Sequence, residues 1–221
     1  MGEELIDLSK YRIIDLSVRL TPGVHSVNQE YVHGRELRKL EIRQFIYKPD
    51  NTFMHWVETE THIGTHVEAP AHYIEGGKAA CDIPLDSYMG PCIVLKFDDK
   101  GPVNGKRQVI IPNDLKSVQE RDIVLLYSKY GRGKTPYISE DAARFLTHDK
   151  KIKMVGIQGI GLEEPGKMES HDNFLKNDTP IIEVLTNLDK VKKERVFFIG
   201  LPLNISHIDS SWIRAIALEE L

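Results

Sequence analysis

The chain has 221 residues, 41% of them hydrophobic, and these values predict one substantial domain covering residues 1–221. Its 29 basic and 33 acidic residues give a net charge of −4, and its short basic cluster at 190–195 is too small to suggest a nucleic-acid partner. No stretch approaches the roughly 18 apolar residues that span a bilayer, so we expect no membrane partner. Cys81 and Cys92 have neither a metal-binding nor a redox spacing, so we expect buried or incidental thiols in a reducing compartment, by default the cytoplasm.

Hydrophobic alternation and short apolar runs predict an α/β chain that is richer in strand than in helix. The expected strands cover residues 12–18, 53–61, 92–97, 123–128, 153–158, 195–200 and 213–218. Two short helices are expected, one over 114–118 after Asn113 and one over 140–147 with Ser139 as its N-cap.

A third helix is predicted to begin near residue 180. Thr179 would be its N-cap and Pro180 its first helical residue. Its apolar stripe would consist of Ile181, Val184, Leu185 and Leu188. At about 100° per residue, Glu183 lies roughly opposite that stripe, so local periodicity predicts an exposed surface acid.

Three histidines and a glutamate fall within eleven residues of this chain. They are His62, His66, Glu68 and His72, so that a third of the nine histidines lie in one short segment. Imidazole and carboxylate are ordinary ligands of zinc, manganese and iron, and a hydrolytic site needs about three of them with one position open for water. The density therefore predicts a metal site, although polar residues on a solvated strand face would explain any one of these histidines alone.

The backbone of this segment must bend if its side chains are to share an ion. On a straight strand His62 and His66 would lie about 13 Å apart, whereas two ligands of one metal need nitrogens within about 3–4 Å. A helix would bring them together, but alternating β-branched residues and Gly64 disfavour one. We therefore predict a strand that bends at Gly64 and gathers both histidines and Glu68, with Pro70 ending the strand and placing the third histidine on a loop.

The string His-x-Gly-Thr-His-x-acid-x-Pro-x-His over residues 62–72 resembles the signature of the metal-dependent cyclase family, which includes bacterial kynurenine formamidases and isatin hydrolases. Residues 14–17 with Pro22-Gly23, 83–90, 201–203 and 214–215 resemble other parts of that family. The resemblance thus covers nearly the full length. It implies a swivelling β/β/α fold with mixed sheets and one or two bound divalent ions, zinc or manganese.

The resemblance also implies roles for individual residues. Five residues match the metal ligands of the family: His62, His66, Glu68, His171 and Glu183. The last two reproduce the twelve-residue spacing of a second ligand pair, and Glu68 would bridge two ions. His72 matches the histidine that acts as general acid and base.

The sequence departs from the family's pattern in two places. The bridging acid of the formamidases is usually aspartate, and Glu68 is one methylene longer, which would shift the metals or turn a bridge into a contact with one ion. The stretch Gln158-Gly159-Ile160-Gly161 also stands where the family usually carries an aspartate and a serine. Both departures are expected near the substrate pocket.

The second ligand pair has weaker support from the residues themselves. His171 lies in a polar stretch and could equally be a loop residue, and Glu183 is predicted to be exposed. Glu163 and Glu164 are competing carboxylates.

The leading hypothesis is a metal-dependent hydrolase that opens an amide, either a formamide or a lactam, or a lactone in a small organic molecule. His72 would take a proton from water and pass it to the departing nitrogen or oxygen. The alternatives are a binding protein whose ion holds a carboxylate, and a lyase or cyclising dehydratase. We also expect a homo-oligomer, a dimer or tetramer, whose neighbouring subunit helps to build the pocket; Trp56 and Trp212 could line that pocket or simply pack.

Overall fold

The computed structural model describes residues 7–24, 39–131, 133–164 and 166–221. In chain order its strands are β1 (Tyr11–Asp15), β2 (Gly23–Val24), β3 (Lys39–Tyr47), β4 (Thr52–Thr59), β5 (His66–Glu68), β6 (Met89–Lys96), β7 (Val109–Ile110), β8 (Ile123–Tyr127), β9 (Tyr137–Ile138), β10 (Met154–Gln158), β11 (Ile181–Glu183), β12 (Arg195–Ile199), β13 (Ser210–Trp212) and β14 (Ile216–Glu220). Its α-helices are α1 (Glu140–Arg144), which continues as a π-helical turn over Phe145–Asp149, and α2 (Glu169–Lys176). Short 3-10 turns cover Leu8–Lys10, Pro70–His72, Ala80–Asp82, Leu85–Ser87, Pro112–Leu115 and Leu188–Lys190.

A nine-stranded mixed sheet organises the fold, in the order β1-β14-β12-β6-β8-β10-β11-β5-β13. The four central strands β6, β8, β10 and β11 run parallel, and the strands on either side pair antiparallel. Parallel strands are usually buried on both faces, and β8 is buried at all five positions. The α/β class, rich in strand and with mixed sheets, is confirmed.

The core lies on both faces of this sheet. Side chains alternate along β8, so that Leu125 packs into one apolar cluster with Phe198, and Leu126 packs into the other. The second cluster includes Ala142 of α1 and Phe174 of α2, so both helices cover the same face. No helix in the described part of the chain has the length and apolar character needed to cross a bilayer.

Strands β3 and β4 form a long hairpin, to which β2 adds a short third strand. Unlike the main sheet, this hairpin is largely exposed, and its large apolar side chains include Phe53 at 69% and Trp56 at 59% exposure. The hairpin leads directly into the segment that carries His62 and His66.

Each of the first six predicted strands overlaps an observed one, and Ser139 caps α1 by accepting from the backbone N–H of Ala142. The predicted strand 213–218 also overlaps an observed one, β14, which begins later, at Ile216. The short helix predicted over 114–118 is a 3-10 turn over Pro112–Leu115, which starts earlier because the Asp114 side chain accepts from the N–H of Ile111.

The helix predicted after Thr179 is wrong, because this segment is strand β11. Ile181 and Ile182 are fully buried between β10 and β5, and sheet pairing on both sides overrides the local helical pattern. Glu183 is consequently not an exposed surface acid, since it lies directly across from His66 of β5.

Candidate metal centre

The backbone turns at Gly64, as the sequence predicts. Its φ is +66°, and a Cβ at this position would lie 2.8 Å from Cδ2 of Leu20, so glycine is needed on both counts. The bend brings the rings of His62 and His66 together with centroids 5.0 Å apart. Thr65 fixes the bend, because its hydroxyl donates to the carbonyl of Val184 and accepts from the N–H of Val18.

His66 is held in one tautomer by its own loop. Its Nδ1 donates to the carbonyl of Gly64 at 2.8 Å, and a carbonyl can only accept, so the proton of the neutral ring lies on Nδ1. The lone pair of Nε2 is therefore available, and this atom is buried with no hydrogen-bond partner among the described residues. It lies 3.6 Å from Oε1 of Glu68, facing the centre of the cluster.

Glu68 occupies the middle of four histidines and is only 3% exposed. Its Oε1 lies 3.1 Å from Nδ1 of His62 and 3.8 Å from Nε2 of His72. Its Oε2 lies 3.6 Å from Nε2 of His171 and has no hydrogen-bond partner in the part of the chain that the structure describes. Burial alone would raise the pKa of this carboxyl, but the attraction of the surrounding histidines, led by His171 and His62, outweighs burial and holds the pKa well below its usual range.

The C-terminal half of the chain supplies two more predicted ligands. Helix α2 presents His171, whose Nδ1 is 2.7 Å from Oε1 of Glu163. Burial opposes the charged ring, but Glu163 and Glu68 raise the pKa of His171 to about 10. Strand β11 presents Glu183, whose pKa is raised by burial and by the neighbouring charge of Glu68. The structure thus places His171 and Glu183 beside Glu68 and the ligands of the bent segment.

The two competing carboxylates have other partners. Glu163 contacts Nδ1 of His171, the ring nitrogen on the far side from Glu68. A carboxylate in this place orients a ligating histidine and is not itself a metal ligand. Glu164 is half exposed and pairs with Lys167. Gln158 belongs to the second of the two departures from the family pattern. Its side chain accepts from the N–H of Leu188 and so holds the turn after β11.

His72 stands at the end of the 3-10 turn that Pro70 begins. Its side chain is 31% exposed, more than that of any other histidine in the cluster, and its Nε2 faces Glu68. Its Nδ1 lies 2.9 Å from Oδ2 of Asp209. It is therefore within reach of both the cluster and the solvent.

Asp209 is a member of the site that the sequence did not indicate. His207, two residues earlier in the chain, is exposed and has a left-handed φ of +63°, whereas Asp209 reaches the cluster. Its Oδ2 also lies 2.7 Å from Nε2 of His62. Burial opposes both charges, but Glu68 and Asp209 raise the pKa of His62 to about 9, and His62 and His72 lower the pKa of Asp209 to about 2.

The donor set fits a divalent ion. Two groups of side chains have ligand atoms within 4.8 Å of one another: His62, Glu68 and His72 in one, and His66, Glu68 and Glu183 in the other. Both groups contain Glu68, and both combine imidazole nitrogen with carboxylate oxygen, the ligands that zinc, manganese and iron share. The buried and unpartnered atoms of His66 and Glu68 lie at this point, where an ion would satisfy them.

The two tryptophans lie in different surroundings. Trp212 is opposite His66 in the sheet and lines a cavity of about 350 Å³ with Asp15, Ser17 and Arg19. Trp56 lies on the exposed hairpin.

This chain is similar to known proteins in sequence and in fold. A family model described as "Putative cyclase" matches residues 14–164. A kynurenine formamidase from Erythrobacter litoralis is 32% identical over 96% of this chain and 95% of its own length. The structure of a "predicted metal-dependent hydrolase" from Bacillus stearothermophilus is 25% identical with a TM-score of 0.72, covering 95% of this chain and 99% of that one. Isatin hydrolase A from Labrenzia aggregata is 18% identical and shares the fold, with a TM-score of 0.79 over 96% of this chain and 95% of that one.

Proposed function

Because this chain belongs to the cyclase family, we propose that it is a metal-dependent hydrolase that cleaves the amide bond of a small organic substrate, a formamide or a lactam. The observation that carries the proposal is the buried carboxylate of Glu68, which two groups of potential ligands share. The names of the relatives support the reaction class, since they include kynurenine formamidase and isatin hydrolase. Hydrolysis of a lactone would use the same chemistry.

The proposed ligands are His62, His66, Glu68, His171 and Glu183. They surround one buried region and would hold one or two ions, zinc or manganese. When bound, such an ion supplies a Lewis acid that polarises a carbonyl and makes water more acidic. The carboxylate of Glu68 presents one negatively charged oxygen to each side of the cluster, Oε1 toward His62 and Oε2 toward His171.

We assign His72 as the general acid and base. Its Nε2 is turned toward the cluster, and its side chain is accessible from outside. It would take a proton from water as the carbonyl is attacked and deliver that proton to the departing nitrogen. A leaving amide nitrogen needs this proton, because an amide anion is a poor leaving group.

A substrate panel with product analysis tests the proposal. Metal-loaded protein should convert an N-formyl aromatic amine or an isatin-like lactam into a product that has gained one water. A product that has lost water would instead identify a lyase or cyclising dehydratase. Tight binding of a small carboxylate without turnover of any amide or lactone would identify a binding protein and overturn the hydrolase assignment.

We further propose that the chain forms a homo-oligomer through the β3–β4 hairpin. Eight large apolar side chains on it are 42–69% exposed: Ile42, Phe45, Ile46, Tyr47, Phe53, Met54, Trp56 and Val57. At roughly 200 Å² per side chain they expose on the order of 800 Å², the area that each partner buries in a standard interface. Because side chains alternate along a strand, these residues lie on both faces of the hairpin. An isolated hairpin is only marginally stable, so we expect a second copy of the chain to cover the exposed apolar side chains.

Light scattering coupled to size-exclusion chromatography tests the oligomer. The double variant Phe53→Glu with Trp56→Glu places one charge on each face and should convert a dimer into a monomer. Gln44→Glu is the control, because it adds charge at a position of the same hairpin that is already polar and exposed. A wild-type protein that is monomeric at micromolar concentration would contradict the proposal.

A further inference from the structure

We propose that Asp209 is a positioning residue that fixes the orientation and tautomer of two histidines at once, the ligand His62 and the proton carrier His72. The inference rests on the proposed function for the roles of those histidines. Its geometry, however, stands independently of the reaction.

One oxygen of Asp209 serves both rings. Oδ2 lies 2.7 Å from Nε2 of His62 and 2.9 Å from Nδ1 of His72, and the two rings lie 4.4 Å apart between centroids. An ionised carboxylate only accepts hydrogen bonds, so both of these nitrogens must carry a proton. A single group thereby ties two side chains that come from different parts of the bent segment.

The protonated nitrogens determine which atoms stay available to an ion or to water. Nδ1 of His62 is hydrogen-bonded to Oε1 of Glu68 at 3.1 Å, and because Asp209 holds the proton on Nε2, Nδ1 is the nitrogen that would give up its proton to an ion. A proton on Nδ1 of His72 leaves the lone pair on Nε2, which lies 3.8 Å from the same oxygen. Asp209 thus turns one nitrogen of each ring toward the centre of the cluster, the arrangement that a ligand and a general base need.

Asp209 is itself held in place at two points. Its other oxygen, Oδ1, accepts from the hydroxyl of Thr61 at 3.1 Å, and its carbonyl accepts from the N–H of Ala69 at 2.9 Å. Ala69 stands between Glu68 and the turn that carries His72. The carboxylate is therefore fixed relative to the segment whose side chains it orients.

The test compares three variants by zinc affinity, by ¹⁵N NMR of the histidine tautomers, and by kinetics at saturating zinc. Asp209→Asn keeps the shape and removes the charge. Thr61→Val removes only the contact that steadies Oδ1. Asp178→Asn is the matched control, because this aspartate is half exposed and pairs with Lys78 on the surface.

We expect Asp209→Asn to lower zinc affinity about 10–100-fold, and to lower kcat by a similar factor with little change in KM. The NMR spectra should show that His72 no longer holds a single tautomer, and Thr61→Val should give a smaller change in the same direction. Asp178→Asn should match the wild type in all three measurements. If zinc affinity, tautomers and kcat are unchanged in Asp209→Asn, or if the losses only follow a lower melting temperature, the proposal is overturned.

These readouts separate the inference from the proposed function. If no amide is hydrolysed but zinc affinity and the tautomers change as expected, the positioning role stands and the hydrolase assignment fails. If the wild type is active and Asp209→Asn retains its tautomers and its full kcat, the positioning role alone is lost.

Discussion

Replacing Glu68 with glutamine should affect both the stability and the metal binding of this protein. The change preserves the shape of the side chain and removes a charge that is 3% exposed and lies 3.1–3.8 Å from a nitrogen of each of four histidines. In the metal-free protein at neutral pH, His62 and His171 carry protons, because their pKa values are raised to about 9 and about 10. The carboxylate therefore has two cationic neighbours.

The size of the effect follows from these distances. Two unit charges 3.6 Å apart attract by about 5 kcal/mol at an effective dielectric of about 20, and removing one partner of a buried pair costs about 3–5 kcal/mol. Since both histidines keep a second carboxylate partner, we expect about 3 kcal/mol for Glu68→Gln. For a chain of this size, that loss lowers Tm by roughly 10 °C. Thermal melts of the metal-free variant measure it directly.

Metal binding gives the second readout for the same variant. Loss of a charged ligand should reduce zinc affinity by at least the roughly 10–100-fold that loss of an outer-shell partner causes. Asp178→Asn, on the surface, should stay within about 0.5 kcal/mol of the wild type. If Glu68→Gln keeps both its Tm and its zinc affinity, Glu68 is not the centre of the site.

Three further predictions concern the same cluster. His72→Ala should keep its metal and lose about 10²–10⁴ in turnover, and metal analysis beside kinetics checks this; loss of the ion as well would show a ligand rather than a proton carrier. Gly64→Ala should lower stability by about 1–3 kcal/mol in thermal melts, because φ is +66° and the added methyl would meet Leu20; an unchanged Tm would contradict the bend. Zinc binding at pH 7 should release about two protons per chain, since His62 and His171 are protonated below their raised pKa values of about 9 and about 10, so affinity should rise with pH up to that range. Calorimetry in buffers of different ionisation enthalpy counts the protons, and a release of none would refute the coupling.

Local features of the sequence were sufficient to predict the bent segment. The density of ligand-type side chains, the failure of a straight strand to bring His62 to His66, and the presence of Gly64 all lie within a few residues. The structure has the turn at Gly64 and gathers His62, His66 and Glu68 there. Short-range geometry is readable from sequence because backbone sterics act on neighbouring residues.

Two acids of the C-terminal half, Glu183 and Asp209, could not be assigned to the site from local features of the sequence. Glu183 looks exposed by periodicity, yet the burial of Ile181 and Ile182 between two strands makes a strand of its segment. Short apolar runs do not distinguish a buried strand from a helix. Asp209 gives no local signal, because its partners His62 and His72 are 147 and 137 residues away in the chain. The spacing of His171 and Glu183 became meaningful only through the family resemblance.

Turnover measured against metal bound per chain tests the central claim most directly. Protein stripped with a chelator and then titrated with zinc or manganese would be assayed on an N-formyl aromatic amine while bound metal is quantified in the same samples. We predict that the metal-free protein is inactive and that turnover rises in proportion to bound metal, reaching a plateau at one or two ions per chain. Full turnover by the stripped protein, or a fully loaded protein that hydrolyses no amide, lactam or lactone, would contradict the account.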